Sequence, residues 1–190
     1  MEWKNLSLRN LLQEYEDQKQ LIRIKKPVSP KFEISAIMKK LNGGPAVFFN
    51  NVKESSIPVV GGICGTRERI ATSLKIKPAG MLQKFLKAFE NRRPTKTVEN
   101  APSQEVVEYK IDLFKQLPIL TYFEKDGGPY ITAGVVVAKD PLTGIRNSSI
   151  HRLMLLDKNK FSIRIVPGRH LDQYYKTAES LNKPLEVGVA

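Results

Sequence analysis

The sequence is poor in the residues that most often announce a mechanism. A single cysteine, Cys64, stands among 190 residues, which excludes an internal disulfide and fits a reducing compartment. The two histidines, His151 and His170, fall short of the three or four ligands a metal needs, and no carboxylate is an obvious partner for them. No apolar run approaches the ~20 residues that span a bilayer. The start, Met1 to Leu12, mixes charges into its apolar residues and lacks the core of a signal peptide. A cytoplasmic protein with no membrane span is expected. Glu33, Glu68 and Glu124 lie far apart, so no pair of them offers acid–base chemistry. The glycine pair in Thr121–Tyr130 has neither P-loop nor dinucleotide spacing and reads as a turn into a strand. There is no internal repeat and no low-complexity tract.

What is present is enough apolar material for a core: 41% hydrophobic and 8% aromatic residues, with 26% charged, the composition of a globular chain. The formal net charge of +12 raises the question of nucleic acid, anionic membrane or phosphate ligands. The basic residues are spread through Lys25–Lys26, Lys39–Lys40, Arg67–Arg69, Lys75–Lys77, Arg92–Arg93 and Lys158–Lys160. That spread favours a solvated surface over a nucleic-acid face, with a concentrated small-anion site as the second reading. The aromatics occupy apolar-face positions and do not alternate with lysines on a strand surface, which also disfavours nucleic acid.

The first hundred residues predict an α/β layer. Ser7 caps a helix carrying Leu8, Leu11, Leu12 and Tyr15, and Leu21–Ile24 is a short strand. Ser29 and Pro30 read as cap and first turn of a helix with Ile34, Ile37, Met38 and Leu41 on its stripe, stopped by Asn42-Gly43-Gly44-Pro45. Ala46–Phe49 and Pro58–Val60 are buried strands. Thr66 caps a helix with Ile70 and Leu74 inward, and Cys64 before it is a small packing residue. Another helix starts near Pro78, turns Met81, Leu82, Phe85 and Phe89 to one face, and ends before Pro94. Arg92 to Ser103 reads as a linker, which divides the chain into 1–100 and 101–190.

Beyond the linker the pattern is β. Ile131–Lys139, Asn147–Leu156 and Phe161–Val166 are joined by turns at 140–144 and 157–160, an antiparallel meander belonging to a barrel or sandwich. A helix over Leu171–Leu181 and a strand over Leu185–Val189 follow. The chain stops inside that apolar strand, which predicts a truncated domain.

The densest polar cluster lies on this meander: Asn147, Ser148, Ser149, His151, Arg152, Arg164, Arg169 and His170. The three arginines offer forked donors for carboxylate or phosphate, and Pro167-Gly168 lets backbone approach a ligand. An amide and an imidazole form a hard, incomplete set suited to Mn²⁺ or Mg²⁺ with phosphate oxygens completing the shell. The same residues also suit the polar solvent face of an ordinary antiparallel sheet, and both readings stand on the residues alone.

Three runs carry a resemblance. Asp126-Gly127-Gly128-Pro129-Tyr130-Ile131-Thr132, then Asn147-Ser148-Ser149-Ile150-His151-Arg152, then Arg164-Ile165-Val166-Pro167-Gly168-Arg169-His170 resemble the UbiD decarboxylase pattern in the same order. Pro58-Val59-Val60-Gly61-Gly62 is similar to these enzymes as well. The resemblance implies a split β-barrel of flavin-reductase type after the α/β layer, and a chain that is the N-terminal portion of a longer enzyme. It implies a non-oxidative decarboxylase of unsaturated or aromatic carboxylic acids, of the 3-octaprenyl-4-hydroxybenzoate decarboxylase kind, that uses prenylated FMN. Asn147 and His170 would hold Mn²⁺, with K⁺ as a further candidate ion. Ile150, His151 and Arg152, Arg164, Ile165 and Val166, and Arg169 and His170 would line the cofactor pocket, with Arg152 engaging the substrate carboxylate. The family's third metal ligand and its acid–base carboxylates have no counterpart before Ala190, so this chain alone is expected to be inactive. A flavin prenyltransferase would supply the cofactor, and the full-length protein would be a homo-oligomer. Two other classes compete: a non-catalytic basic module that binds nucleic acid or another polyanion, and a plain FMN-binding flavin-reductase-type domain.

One geometric condition follows. Strand alternation puts Asn147 and Arg152, five residues apart, on opposite faces. They share a site only if Asn147 precedes the strand or a bulge intervenes.

Overall fold

The computed structural model describes residues 7–91, 95 and 97–190. It forms two compact units, one of residues 1–29 and 36–111, the other of Pro30–Ser35 with Asp112–Ala190. Among the described residues no helix is long and apolar enough to cross a membrane.

The first unit is built on a small mixed sheet. Helix α1 (Leu8–Asp17) starts where the Ser7 hydroxyl accepts from the Asn10 N–H at 3.1 Å, and it buries Leu12 and Tyr15. Strand β1 (Leu21–Ile24) pairs in parallel with β2 (Ala46–Phe49), whose other edge carries β3 (Val59–Gly61) antiparallel. β3 starts one residue later than the sequence suggests. Helix α3 (Arg67–Ser73) is capped by Thr66 as expected, but its buried positions are Arg69 and Ala71, with Ile70 and Leu74 only half-buried. The Arg69 guanidinium donates to the Gly44 carbonyl at 2.6 Å. The Tyr15 hydroxyl lies 3.1 Å from the carbonyls of both Ile63 and Arg69, and burial pushes its pKa up. Cys64 is exposed rather than packed.

Two further helices depart from expectation. Helix α2 (Glu33–Lys40) starts at Glu33, not at Pro30. The Thr121 N–H donates to the Pro30 carbonyl and the Phe32 N–H to the Thr121 carbonyl, so this stretch is extended. Phe32 then takes a left-handed φ of 69° before the helix begins. Helix α4 (Met81–Glu90) forms as predicted, yet it buries no residue: Leu82 and Phe89 are 65% and 70% exposed. Amphipathic spacing identifies a face, not what covers it. Within the expected linker, Arg92–Pro94 and Lys96 lie outside the described residues, as does Pro94 as a helix stop.

The second unit is an antiparallel sheet in the order β6-β5-β4-β7, comprising β4 (Tyr130–Lys139), β5 (Arg146–Asp157), β6 (Lys160–Ile163) and β7 (Val187–Val189). Short helix α5 (Leu113–Gln116), not foreseen, precedes it, and α6 (His170–Ser180) leads into β7. Alternate residues of β4 and β5 turn inward: Val136, Ala138 and Leu153 form a core cluster with Leu171 and Tyr174 of α6, against which Phe161, Ile163 and Ile165 pack. β6 ends at Ile163, three residues short of the expected Val166, and β7 begins two residues later than expected.

Candidate functional site

β5 distributes the polar cluster. Asn147, Ser149 and His151 fall on the face that continues into buried Leu153, whereas Ile150 and Arg152 fall on the other and are exposed. Neither condition for bringing Asn147 and Arg152 together is met. Asn147 lies inside β5, paired with Ala138. A bulge does occur beside Arg152, but on the partner strand: β4 shifts register between Ile131 and Gly134, so Thr132 and Ala133 stand opposite Arg152. The phase of β5 is therefore kept along its polar half.

Two clefts result. One, of about 570 Å³, is lined by Arg152 and Arg164 with Tyr122, Tyr130, Thr132 and Ser162 among others. Neither guanidinium has an ion-pair or hydrogen-bond partner among the described residues, which leaves two forked donors facing one space. Asp126, also on its wall, is committed: its Oδ2 accepts from the Tyr122 and Phe123 N–H groups at 3.2 and 2.9 Å. This bond closes the turn that the glycine-rich run predicted. The other cleft, of about 520 Å³, is lined by Asn147, Ile150, His151, Val166, Arg169 and His170 together with neighbouring residues. Arg164 thus faces one cleft and Val166 the other. Ile165 faces neither and packs on the core.

The second cleft is organised by the start of α6. Gly168 takes a φ of +78°, with open space where a Cβ would stand. Its N–H donates to Asp172 Oδ2 at 2.9 Å, and Lys176 Nζ donates to the same oxygen at 2.8 Å. The Lys176 ammonium, helped by the Gly168 N–H, holds the Asp172 carboxyl below the usual aspartate range. The turn so fixed places Arg169 at the cap and His170 as the first helical residue, where free N–H groups favour an anion. The His170 ring carries no hydrogen bond among the described residues. His151 differs: 8% exposed, its Nε2 lies 2.8 Å from Ser149 Oγ and its Nδ1 3.1 Å from the Arg164 carbonyl. Both its nitrogens are used within the fold, so its ring is no metal ligand.

Sequence reasoning missed the aromatic and hydroxyl wall of the first cleft, whose residues come from three separate segments. It also missed Asp172, although an acid in the first turn of a helix is a readable signal.

The donor set of the second cleft suits a phosphate with a divalent ion: an amide oxygen, an imidazole nitrogen, a guanidinium and a helix start. Two protein ligands are short of a full shell, and no group of three or more His, Cys, Asp or Glu side chains able to hold a metal exists among the described residues. Phosphate oxygens or water would complete it.

The family model of the 3-octaprenyl-4-hydroxybenzoate carboxy-lyase N-terminal domain matches residues 12–89, and that of the Rift-related domain of the same enzyme matches residues 96–190. The chain belongs to the UbiD family. It is 42% identical over 163 residues to anhydromevalonate phosphate decarboxylase of Methanothermobacter thermautotrophicus, an overlap of 86% of this chain and 37% of that protein. The Methanosarcina mazei enzyme of the same name is 39% identical, over 97% of this chain and 42% of the relative. Among solved structures, an evolved dimeric form of the UbiD-class enzyme HmfF from Pelotomaculum thermopropionicum, in complex with prFMN, superposes with a TM-score of 0.92 at 41% identity. That match covers 97% of this chain and 44% of the other. The apo 3,4-dihydroxybenzoic acid decarboxylase from Enterobacter cloacae gives a TM-score of 0.86 at 30% identity, over 94% and 41%. The UbiD-family chain thus spans under half the length of each of these relatives.

Proposed function

We propose that this chain supplies the cofactor-, metal- and carboxylate-holding part of a cytoplasmic, non-oxidative decarboxylase that uses prenylated FMN with Mn²⁺. The observation that carries the proposal is the match to HmfF in complex with prFMN, at 41% identity over nearly the whole chain. Residues of the three runs that carry the resemblance line the two clefts. On this reading the second unit is the beginning of a split β-barrel of flavin-reductase type. K⁺ is a candidate second ion, a flavin prenyltransferase supplies the cofactor, and the whole protein assembles as a homo-oligomer.

When bound, the prenylated flavin supplies the electron sink for the pair left behind by departing CO₂. The remaining work falls to side chains. Asn147 and His170 hold the divalent ion, and Arg169 with the start of α6 holds phosphate. Ile150 and Val166 line the same cleft, and Ile165 supports it from the core. Arg152, beside Arg164 in the first cleft, pairs with the substrate carboxylate and sets its orientation, a division of labour that requires the bound cofactor to reach from the second cleft to the first. The carbon that loses CO₂ must regain a proton from an acid. Asp126, on the wall of the first cleft, and Asp172, in the first turn of α6, are already committed to backbone N–H groups. The chain by itself is therefore expected to show negligible turnover while retaining cofactor affinity. The names of the two methanogen relatives make anhydromevalonate phosphate the first substrate to assay with the whole protein.

The test is a titration of this chain with FMN, with and without Mn²⁺, read by flavin fluorescence. Mn²⁺-dependent binding that weakens at least tenfold in His170→Ala is expected. Binding indifferent to both Mn²⁺ and His170 would overturn the assignment and favour a plain flavin domain.

A further inference from the structure

β6 stops at Ile163 although nothing in its apolar pattern requires it to. In the existing register Leu153 pairs with Ile163 and Met154 with Ser162. One more step would set Arg164 directly across from Arg152, two guanidiniums side by side on one face, which is unfavourable. The Arg164 carbonyl would there accept from the backbone of β5. It meets the Nδ1 of the buried His151 ring at 3.1 Å instead. A carbonyl only accepts, so Nδ1 carries the proton, and in the neutral ring Nε2 accepts from the Ser149 hydroxyl at 2.8 Å. Among the described residues β5 consequently has no ladder partner on that side from Arg146 to Arg152. Val135 spends its N–H and C=O on Ala190, so Ile150, paired with Val135, turns its own backbone groups to the open edge. That edge borders the second cleft, which Ser148 and Ile150 line.

We propose that His151 is a positioning residue: its ring takes the Arg164 carbonyl, diverts the chain off β5, and so keeps the cleft beside Ser148–Ile150 open for the cofactor. The inference rests on the functional reading above for the identity of the occupant, not for the geometry. Both ring nitrogens of His151 are spent within the fold. It sets the path of Arg164–Val166, which sends Arg164 to one cleft and Val166 to the other.

Two variants separate this role from simple packing. His151→Asn keeps a donor near the Nδ1 position, and His151→Leu keeps bulk without a donor. Backbone order parameters of Arg164–Val166, from nitrogen relaxation of the labelled chain, should sit near the rigid value of about 0.85 in the wild type and in His151→Asn. They should fall below about 0.6 in His151→Leu, with β4 unchanged. FMN affinity should drop tenfold or more in His151→Leu and less than threefold in His151→Asn. Unchanged order at Arg164–Val166 in His151→Leu would overturn the proposal, as would equal FMN affinity in the two variants. Should the wild type take no FMN at all, the functional reading fails, and the relaxation data still decide the role of His151.

Discussion

Of the glycines in the second unit Gly134 has the least room for a Cβ, and replacing it with alanine gives a prediction that can be worked from distances. The residue is buried on β4, next to the bulge and across from His151. A Cβ built there would stand 2.5 Å from Leu153 Cδ1, 3.3 Å from Ile131 Cγ2 and 3.4 Å from Val189 Cγ1. The Leu153 methyl is the far end of a flexible side chain, but Leu153 is only 4% exposed and locked in the core cluster. Overpacking of this kind costs about 1–3 kcal/mol. Alanine also restricts the unfolded chain, which returns about 0.4–1 kcal/mol. The net expectation is a loss of about 1.3 kcal/mol, within a span of about 0–2.6 kcal/mol, read as a lower urea midpoint followed by circular dichroism. The collision should vanish once Leu153 is shortened. Leu153→Ala alone costs about 2–5 kcal/mol through its cavity, and Gly134→Ala added to it should be neutral or stabilising. If Gly134→Ala cost the same in both backgrounds, the steric account of β4 and β5 would be wrong.

In the first unit, Tyr15→Phe should lose about 1 kcal/mol, and up to about 3 if a carbonyl is left without a donor. Urea unfolding of the two proteins measures this, and an unchanged midpoint would show that the hydroxyl contacts are not formed in solution. The depressed Asp172 carboxyl favours the folded state above the unfolded aspartate value of about 3.9, and that contribution disappears as pH falls through the lower folded value. Stability should therefore fall more steeply below about pH 4 in the wild type than in Asp172→Asn. Parallel acid profiles for the two would remove Asp172 from the account.

What the sequence allowed to be read follows from how local each determinant is. The caps at Ser7 and Thr66 and the alternation along β4 and β5 depend on residues a few positions apart, and these elements fall within a residue or two of expectation. The start of α2 does not, because Pro30 and Phe32 are held by Thr121 far along the chain. The end of β6 was hidden for a similar reason: the apolar run continues to Val166, and only register reveals that Arg164 would confront Arg152. The polar cluster was visible as composition. Its division into two clefts was foreshadowed by the five-residue spacing of Asn147 and Arg152, and the strand phase of β5 settles which residues go where.

The central claim is that Asn147, Arg169 and His170 hold the cofactor end while Arg152 serves the substrate from the other face. Native mass spectrometry of the chain, co-produced with a flavin prenyltransferase and supplied with Mn²⁺, tests it most directly. A retained mass of prenylated FMN in the wild type and in Arg152→Ala, lost in Arg169→Ala and His170→Ala, is the predicted result. Bare wild-type protein, or retention indifferent to Arg169 and His170, would contradict it.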